Sequence, residues 1–189
     1  MNKEPKMKVT FLGTGTSQGV PVIACHCDVC RSADPRDRRL RSSVLVETKG
    51  LRIVIDCGPD FRQQMLREQV ESIDAILVTH NHKDHLGGLD DVRAFNFILQ
   101  KPASVYATLP VQHQIRKEYA YAFSDRRYPG VPDIHLHNLG KRPFYIRLQR
   151  IHPILATHYT MGQVVFGFRI NDFTYLTDVF SISDRKSVV

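Results

Sequence analysis

The stretch that most restricts this chain is Ala75-Ile76-Leu77-Val78, an apolar run that passes without a break into Thr79-His80-Asn81-His82-Lys83-Asp84-His85-Leu86-Gly87-Gly88. A short apolar run of this kind reads as a buried strand. It delivers the polar residues behind it to one strand end, where binding sites commonly form. Histidines at 80, 82 and 85, with Asp84 between the last two, fall within six residues. Two readings stay open: a metal-binding loop, or an exposed polar turn in which one histidine caps the next helix. Neutral imidazole and carboxylate are donors that zinc, manganese and iron accept. Four of them in so short a span exceed the needs of one ion, so the spacing points to two adjacent metals. An extended backbone sets His80 and His82 on one side, and a turn into a helix brings Asp84 and His85 to a second point nearby.

Other segments supply a frame for that loop. Residues 7–12 read as a strand ending in the tight turn Gly13-Thr14-Gly15-Thr16-Ser17, which lacks both the lysine of a P-loop and the third glycine of a dinucleotide fingerprint. Residues 43–48 and 51–56, separated by Lys49-Gly50, give a hairpin signal. A helix is expected over 60–69, with Asp60 as its cap and Phe61, Met65 and Leu66 on one face. Helical spacing recurs over 89–99 and about 111–123. Strands are expected at 105–108, near 144–151, and at 164–170 and 173–176. Strands thus dominate each half, with helices between them: an α/β chain without internal repeats.

At 189 residues and 42% hydrophobic content, the sequence suits a single domain over 1–189 with a core that needs no disulfides. The charged start and the short apolar stretch after it fit neither a signal peptide nor a membrane span, so a cytoplasmic protein without membrane association is expected. A net charge of +7 suits an anionic partner, although Arg36, Arg38, Arg39 and Arg41 supply four of the positive charges in one segment. Three of the four cysteines form Cys25-His26-Cys27-Asp28-Val29-Cys30, better read as thiolate ligands for a structural zinc than as a disulfide framework. Cys57 reads as a small core residue. His26, His113, His135 and His137 read as surface residues.

The segment H-N-H-K-D-H-L-G-G resembles the H-x-H-x-D-H signature of the metallo-β-lactamase superfamily, and F-L-G-T-G-T-S near the start and D-C-G at 56–58 are similar to that superfamily too. The resemblance implies a four-layered αββα sandwich and a dinuclear metal hydrolase. It also implies a later histidine and a bridging aspartate. Ala156-Thr157-His158 and Tyr175-Leu176-Thr177-Asp178 meet both demands, with His152 as the competitor to His158. Carried over, His80, His82 and His158 would hold one metal, Asp84 and His85 the other, and Asp178 would bridge them, so that Asp84 and Asp178 are the catalytic carboxylates. Asp56 would orient a ligand histidine by accepting its second ring N–H, a role open to Asp90 and Asp91 as well.

A cysteine loop after the first strand resembles the cyclic-phosphate phosphodiesterases of phosphonate degradation within that superfamily. This implies two zinc or manganese ions, a structural zinc on the cysteines, and attack of metal-bound hydroxide on a small cyclic phosphodiester. A tRNA 3′-processing endonuclease is the alternative, with RNA as partner. A metal-binding protein with an incomplete site is a third reading, and a homodimer is left open. The chain departs from the pattern in ending eleven residues after Asp178, where the family continues with a further ligand histidine, a catalytic histidine and the fourth ligand of the structural zinc. An α/β sandwich lacking its C-terminal part is therefore expected.

Overall fold

The computed structural model describes residues 7–159 and 162–182. The chain starts with β1 (Lys8–Gly13), a loop bearing the short helix α1 (Asp28–Arg31), and the hairpin β2 (Ser43–Thr48) and β3 (Leu51–Ile55). Positive φ at Lys49 (48°) and Gly50 (72°) is what a two-residue turn between twisted strands demands. Helix α2 (Phe61–Arg67), strand β4 (Ala75–Leu77) and helix α3 (Lys83–Leu86) follow. Next come α4 (Arg93–Leu99), β5 (Ala103–Ala107), α5 (Leu109–Glu118) and β6 (Ile134–Asn138). The remainder is β-structure: β7 (Phe144–Ile146), β8 (Gln149–Thr157), β9 (Val164–Ile170), β10 (Phe173–Tyr175) and β11 (Ser181–Ile182).

Two sheets result. The first has the order β1-β2-β3-β4-β5-β6, antiparallel as far as β3 and parallel from β3 to β6. The second is antiparallel, in the order β10-β9-β8-β11, with β7 also paired to β8. Side-chain alternation along the strands builds two cores. Leu45, Val54, Ile76 and Val105 point to the helices and meet Phe61, Met65, Leu89 and Ile115. Val44, Val46, Ile53, Ile55 and Leu77 point the other way and pack on Ile151, Phe166, Phe168 and Ile170 of the second sheet. Each large apolar side chain buried in this way contributes about 1.5–3 kcal/mol. This is the αββα sandwich in partial form: among the described residues no helix follows β6, so the outer helical layer on the second sheet is not seen there.

Several elements differ from expectation, for physical reasons. Helix α2 is shorter, and Leu66 is 61% exposed. The third inward position is Gln64, whose side-chain amide donates to the Arg41 carbonyl at 2.9 Å. Asp60 does not cap α2, because its carboxylate accepts from the Arg41 backbone N–H and guanidinium, both at 2.8 Å. The helix expected over 89–99 begins as a 3-10 turn (Leu89–Val92) before α4. That over 111–123 starts at Leu109 and ends in a 3-10 turn (Ala120–Ala122). The single strand expected near 144–151 is two strands broken at Arg147, whose φ is 48°. β8 runs on through Pro153 to Thr157. Strands β6 and β11 were not expected: the first has the polar sequence I-H-L-H-N of a sheet edge, and the second is two residues long.

Candidate metal centre

The parallel pairing of β3 with β4 and of β4 with β5 aligns the carboxyl ends of these strands. Loops leaving such ends form the ligand crevice of open α/β sheets. Asp56-Cys57-Gly58 leaves β3 there, and Thr79 to His85 leaves β4. Their close fit explains two glycines. A Cβ on Gly58 would lie 2.0 Å from the Asp84 carbonyl oxygen, and one on Gly88 would lie 2.1 Å from the Gly58 carbonyl oxygen. The Cys57 N–H donates to the His85 carbonyl at 2.8 Å, and the Gly88 N–H donates to the Cys57 carbonyl at 2.9 Å. The two loops are thereby fixed as one unit. The second sheet joins them where the Phe166 N–H of β9 donates to the Thr79 carbonyl at 3.0 Å.

At this point the structure brings two overlapping sets of donor atoms together. The ring nitrogens of His80, His82 and His158 lie within 4.8 Å of one another, as do donor atoms of His80, His85 and Asp178. Asp178 Oδ2 stands 2.7 Å from His85 Nε2 and 3.5 Å from His80 Nε2, and His80 is common to the two sets. Asp84 Oδ2 is 3.2 Å from His85 Nε2. His158, and not His152, meets His80 and His82; its ring centroid is 5.0 Å from that of His82. His152 lies mid-strand, opposite Arg169 in the β8–β9 register.

The hydrogen bonds behind the donors fix which nitrogen each histidine presents. Asp56, fully buried, accepts the Thr79 N–H on Oδ1 at 2.9 Å and the Thr79 hydroxyl on Oδ2 at 3.0 Å. It also stands 2.7 Å from His85 Nδ1. A carboxylate only accepts, so His85 carries its proton on Nδ1. The Thr79 hydroxyl spends its single proton on Asp56, so at 2.9 Å it accepts from Nδ1–H of His80. Both Nε2 atoms therefore face the centre. His80 Nε2 is buried with no hydrogen-bond partner, and an orphaned acceptor of that kind is costly unless a cation takes it up.

The electrostatics agree with a cationic occupant. Burial, then the neighbouring His85 and His82, push His80 down to about 3, so it stays neutral and able to donate a lone pair. Burial is the largest influence on His85 and works against its charge, but Asp56, Asp178 and Asp84 outweigh it and push the group up to about 12. The bond from His85 keeps Asp178 below the usual carboxylate range. Asp84 is also lowered: burial opposes this, and His85 overcomes it. Three carboxylates around one imidazole demand positive charge, and the donor types are those of zinc or manganese.

Sequence reasoning had no role for Thr79, the residue that hydrogen-bonds Asp56, His80 and β9 at once; its position beside His80 was the only signal. Asp90 does not support a ligand histidine but accepts from the Tyr121 hydroxyl and pairs with Arg93. Asp91 lines a groove between α2 and α4 that none of the donors lines. Cys57 is buried, and burial pushes its thiol well up, so it is the inert core residue expected. Cys25, Cys27 and Cys30 gather with their sulfurs within 4.8 Å, Cys25 to Cys27 at 3.4 Å, and the Val22 N–H donates to Cys30 Sγ at 3.4 Å. Four thiolates around zinc stand about 3.8 Å apart when Zn–S is about 2.3 Å, so this spacing suits three of four ligands. Residues 51–187 match the beta-lactamase superfamily domain.

The chain belongs to the metallo-β-lactamase superfamily.

Among members of that superfamily, a diphosphatase of the PhnP family has the same fold at a TM-score of 0.85 and 37% identity, over 96% of this chain and 68% of its own. A protein of Porphyromonas gingivalis named octanoyltransferase is 41% identical over 182 residues, which is 95% of this chain. The chain spans only 36% of that relative's length. Ribonuclease Z of Methanopyrus kandleri is 33% identical over 91 residues, 47% of this chain and 26% of the relative. No helix among the described residues is long and apolar enough to cross a membrane.

Proposed function

We propose that this chain is a metal-dependent phosphodiesterase that holds two divalent ions and acts on a small cyclic phosphodiester. The observation that carries the reading is the overlap of the two donor sets at His80, with the Asp178 carboxylate lying between the His80 and His85 nitrogens. His80, His82 and His158 would hold one ion, Asp84 and His85 the other, and Asp178 both. Such a pair supplies a nucleophile derived from water at neutral pH and neutralises charge developing on phosphorus. Asp56 keeps His85 and, through Thr79, His80 in the tautomer that presents Nε2. Asp84 and Asp178, both held ionised, are the groups able to take or hold a proton beside the reacting phosphate. Cys25, Cys27 and Cys30 would hold a separate structural zinc that fixes the loop after β1.

Likeness to the PhnP-family diphosphatase supports phosphorus chemistry. The octanoyltransferase likeness does not redirect it: the residues that converge here are imidazoles and carboxylates, and Cys57 beside them is a protonated core thiol. Likeness to ribonuclease Z supports an RNA endonuclease as the second reading. The test is turnover of bis(p-nitrophenyl) phosphate with added manganese or zinc, followed by a comparison of 5-phosphoribosyl 1,2-cyclic phosphate with pre-tRNA. Turnover that disappears in Asp84→Ala supports the proposal. A metal-replete protein without turnover of any of the three substrates overturns it, and cleavage of pre-tRNA alone selects the second reading.

A further inference from the structure

The three-histidine donor set draws its members from both sheets. His80 and His82 stand in the loop after β4, and His158 follows the last residue of β8. The set is therefore only as well formed as the seating of the β8–β9 connection against the β4 loop. One residue touches both. The His158 N–H donates to the Gln163 carbonyl at 2.8 Å, which closes the connection one step beyond the last paired residues, Thr157 and Val164. The Gln163 side-chain amide donates to Asn81 Oδ1 at 2.7 Å. Asn81 is the residue between His80 and His82.

This bond has a neighbour. The Phe166 N–H of β9 donates to the Thr79 carbonyl, so His80 is bracketed by two attachments to the second sheet, one at Thr79 and one at Asn81. The first joins backbone to backbone and does not depend on a side chain. The second rests on one carboxamide. The other flank of the same loop is tied elsewhere: Lys83 Nζ pairs with Glu118 of α5 at 2.5 Å, and the Tyr119 hydroxyl donates to the Leu86 carbonyl at 2.9 Å. The Cys57 N–H holds the His85 carbonyl between them. The loop thus has two separate anchorages, one beside His80 and His82 and the other around Asp84 and His85.

Resting on the two-ion reading, we propose that Gln163 is a positioning residue for the three-histidine ion: its carbonyl holds His158 and its side-chain amide holds Asn81, so that one residue sets the distance between His158 and the pair His80 and His82. The ion at Asp84 and His85 is held from the α5 flank and does not draw on it. Gln163 supplies no donor atom, so its carboxamide can be removed with every ligand left in place. Groups behind metal ligands are worth about 10–100-fold in metal affinity.

The test is calorimetric titration of the full chain with manganese, an ion that soft thiolates such as Cys25, Cys27 and Cys30 disfavour. His82→Ala and Asp84→Ala identify the two uptake steps, because His82 serves the three-histidine ion alone and Asp84 the other alone. In Gln163→Leu the step lost in His82→Ala weakens on the order of tenfold, and the step lost in Asp84→Ala keeps its affinity. Asn81→Ala acts alike, and the double variant is no weaker than either single one, as a shared bond requires. Glu118→Gln, which releases Lys83 on the other flank, leaves the three-histidine step alone. Unfolding midpoints in EDTA stay at the parent value for Gln163→Leu, which separates positioning from loss of fold. Equal weakening of both steps, additive losses in the double variant, or parent affinity in Gln163→Leu overturns the proposal. A parent chain that takes up a single ion, still weakened by Gln163→Leu, would instead count against the two-ion reading and leave the positioning role standing.

Discussion

At the residue scale, Asp56 and Asp178 both occupy left-handed backbone, with φ of 67° and 52°. Aspartate tolerates that region better than most residues, at a cost of order 1–3 kcal/mol, and such strain gathers at functional sites. Here the conformation turns each carboxylate from a strand end into the centre. Asp56→Asn keeps the shape but gives up the anion that His85 and Thr79 address, and a lowered metal affinity of about 10–100-fold is expected, read by titration against a competing chelator. Thr79→Val removes the hydroxyl between Asp56 and His80 and should destabilise the fold by about 1–3 kcal/mol, read from urea unfolding. His80, His82, Asp84 and His85 were legible in the sequence because metal donors at that density within six residues have few other uses. Thr79 was not, because a threonine next to a histidine says nothing about where the carboxylate of another strand will stand. His158 and Asp178 became legible only through resemblance, since a lone histidine or aspartate at a strand end has no pattern of its own.

At the element scale, what the sequence conveyed was apolar periodicity, and it erred where polar contacts overrode that periodicity. Leu66 looked inward by spacing, yet Gln64 takes the inward place because the Arg41 carbonyl offers it a partner. β6 escaped notice because an edge strand alternates histidine with leucine and isoleucine and shows little apolar surplus. The D-C-G segment resembled the family, but its reason is steric: the turn after β3 and the start of α3 touch backbone to backbone at Gly58. Gly58→Ala should destabilise the fold by about 1–3 kcal/mol and weaken metal binding, because the Asp84 backbone must shift to admit the methyl group. Gly140, where a Cβ would meet nothing within 4 Å and φ is ordinary, is the control. Gly140→Ala should stay within about 0.5 kcal/mol of the parent in the same denaturation experiment.

On the scale of the whole molecule, the sandwich brings donors from three strand ends to one point, and no local segment could hold them without both sheets. Metal bound at this site would be coupled to folding, since the unfolded chain has no such site. At a hundredfold excess of metal over its dissociation constant the folded state gains about 2.7 kcal/mol. For a chain of this length that corresponds to roughly 5–10 °C in Tm. Thermal melts with manganese or zinc against melts in EDTA measure it, and an unchanged Tm would contradict the coupling. The sequence showed an α/β chain through its strand and helix alternation, and the layered sandwich only through its resemblance to the superfamily. It did not show that the helices lie on one sheet only among the described residues, because layer assignment depends on which strands become neighbours.

The bond from the Phe166 amide to the Thr79 carbonyl does more than join the sheets. It makes one backbone hydrogen a reporter of the centre, since any opening that releases Phe166 to deuterium must also part the histidine loop from β9. Exchange at that amide should slow on metal addition more than at the Ala103 amide, which bonds to the Asp133 carbonyl away from the donors. Occupancy could then be followed without any substrate, by watching a single proton leave.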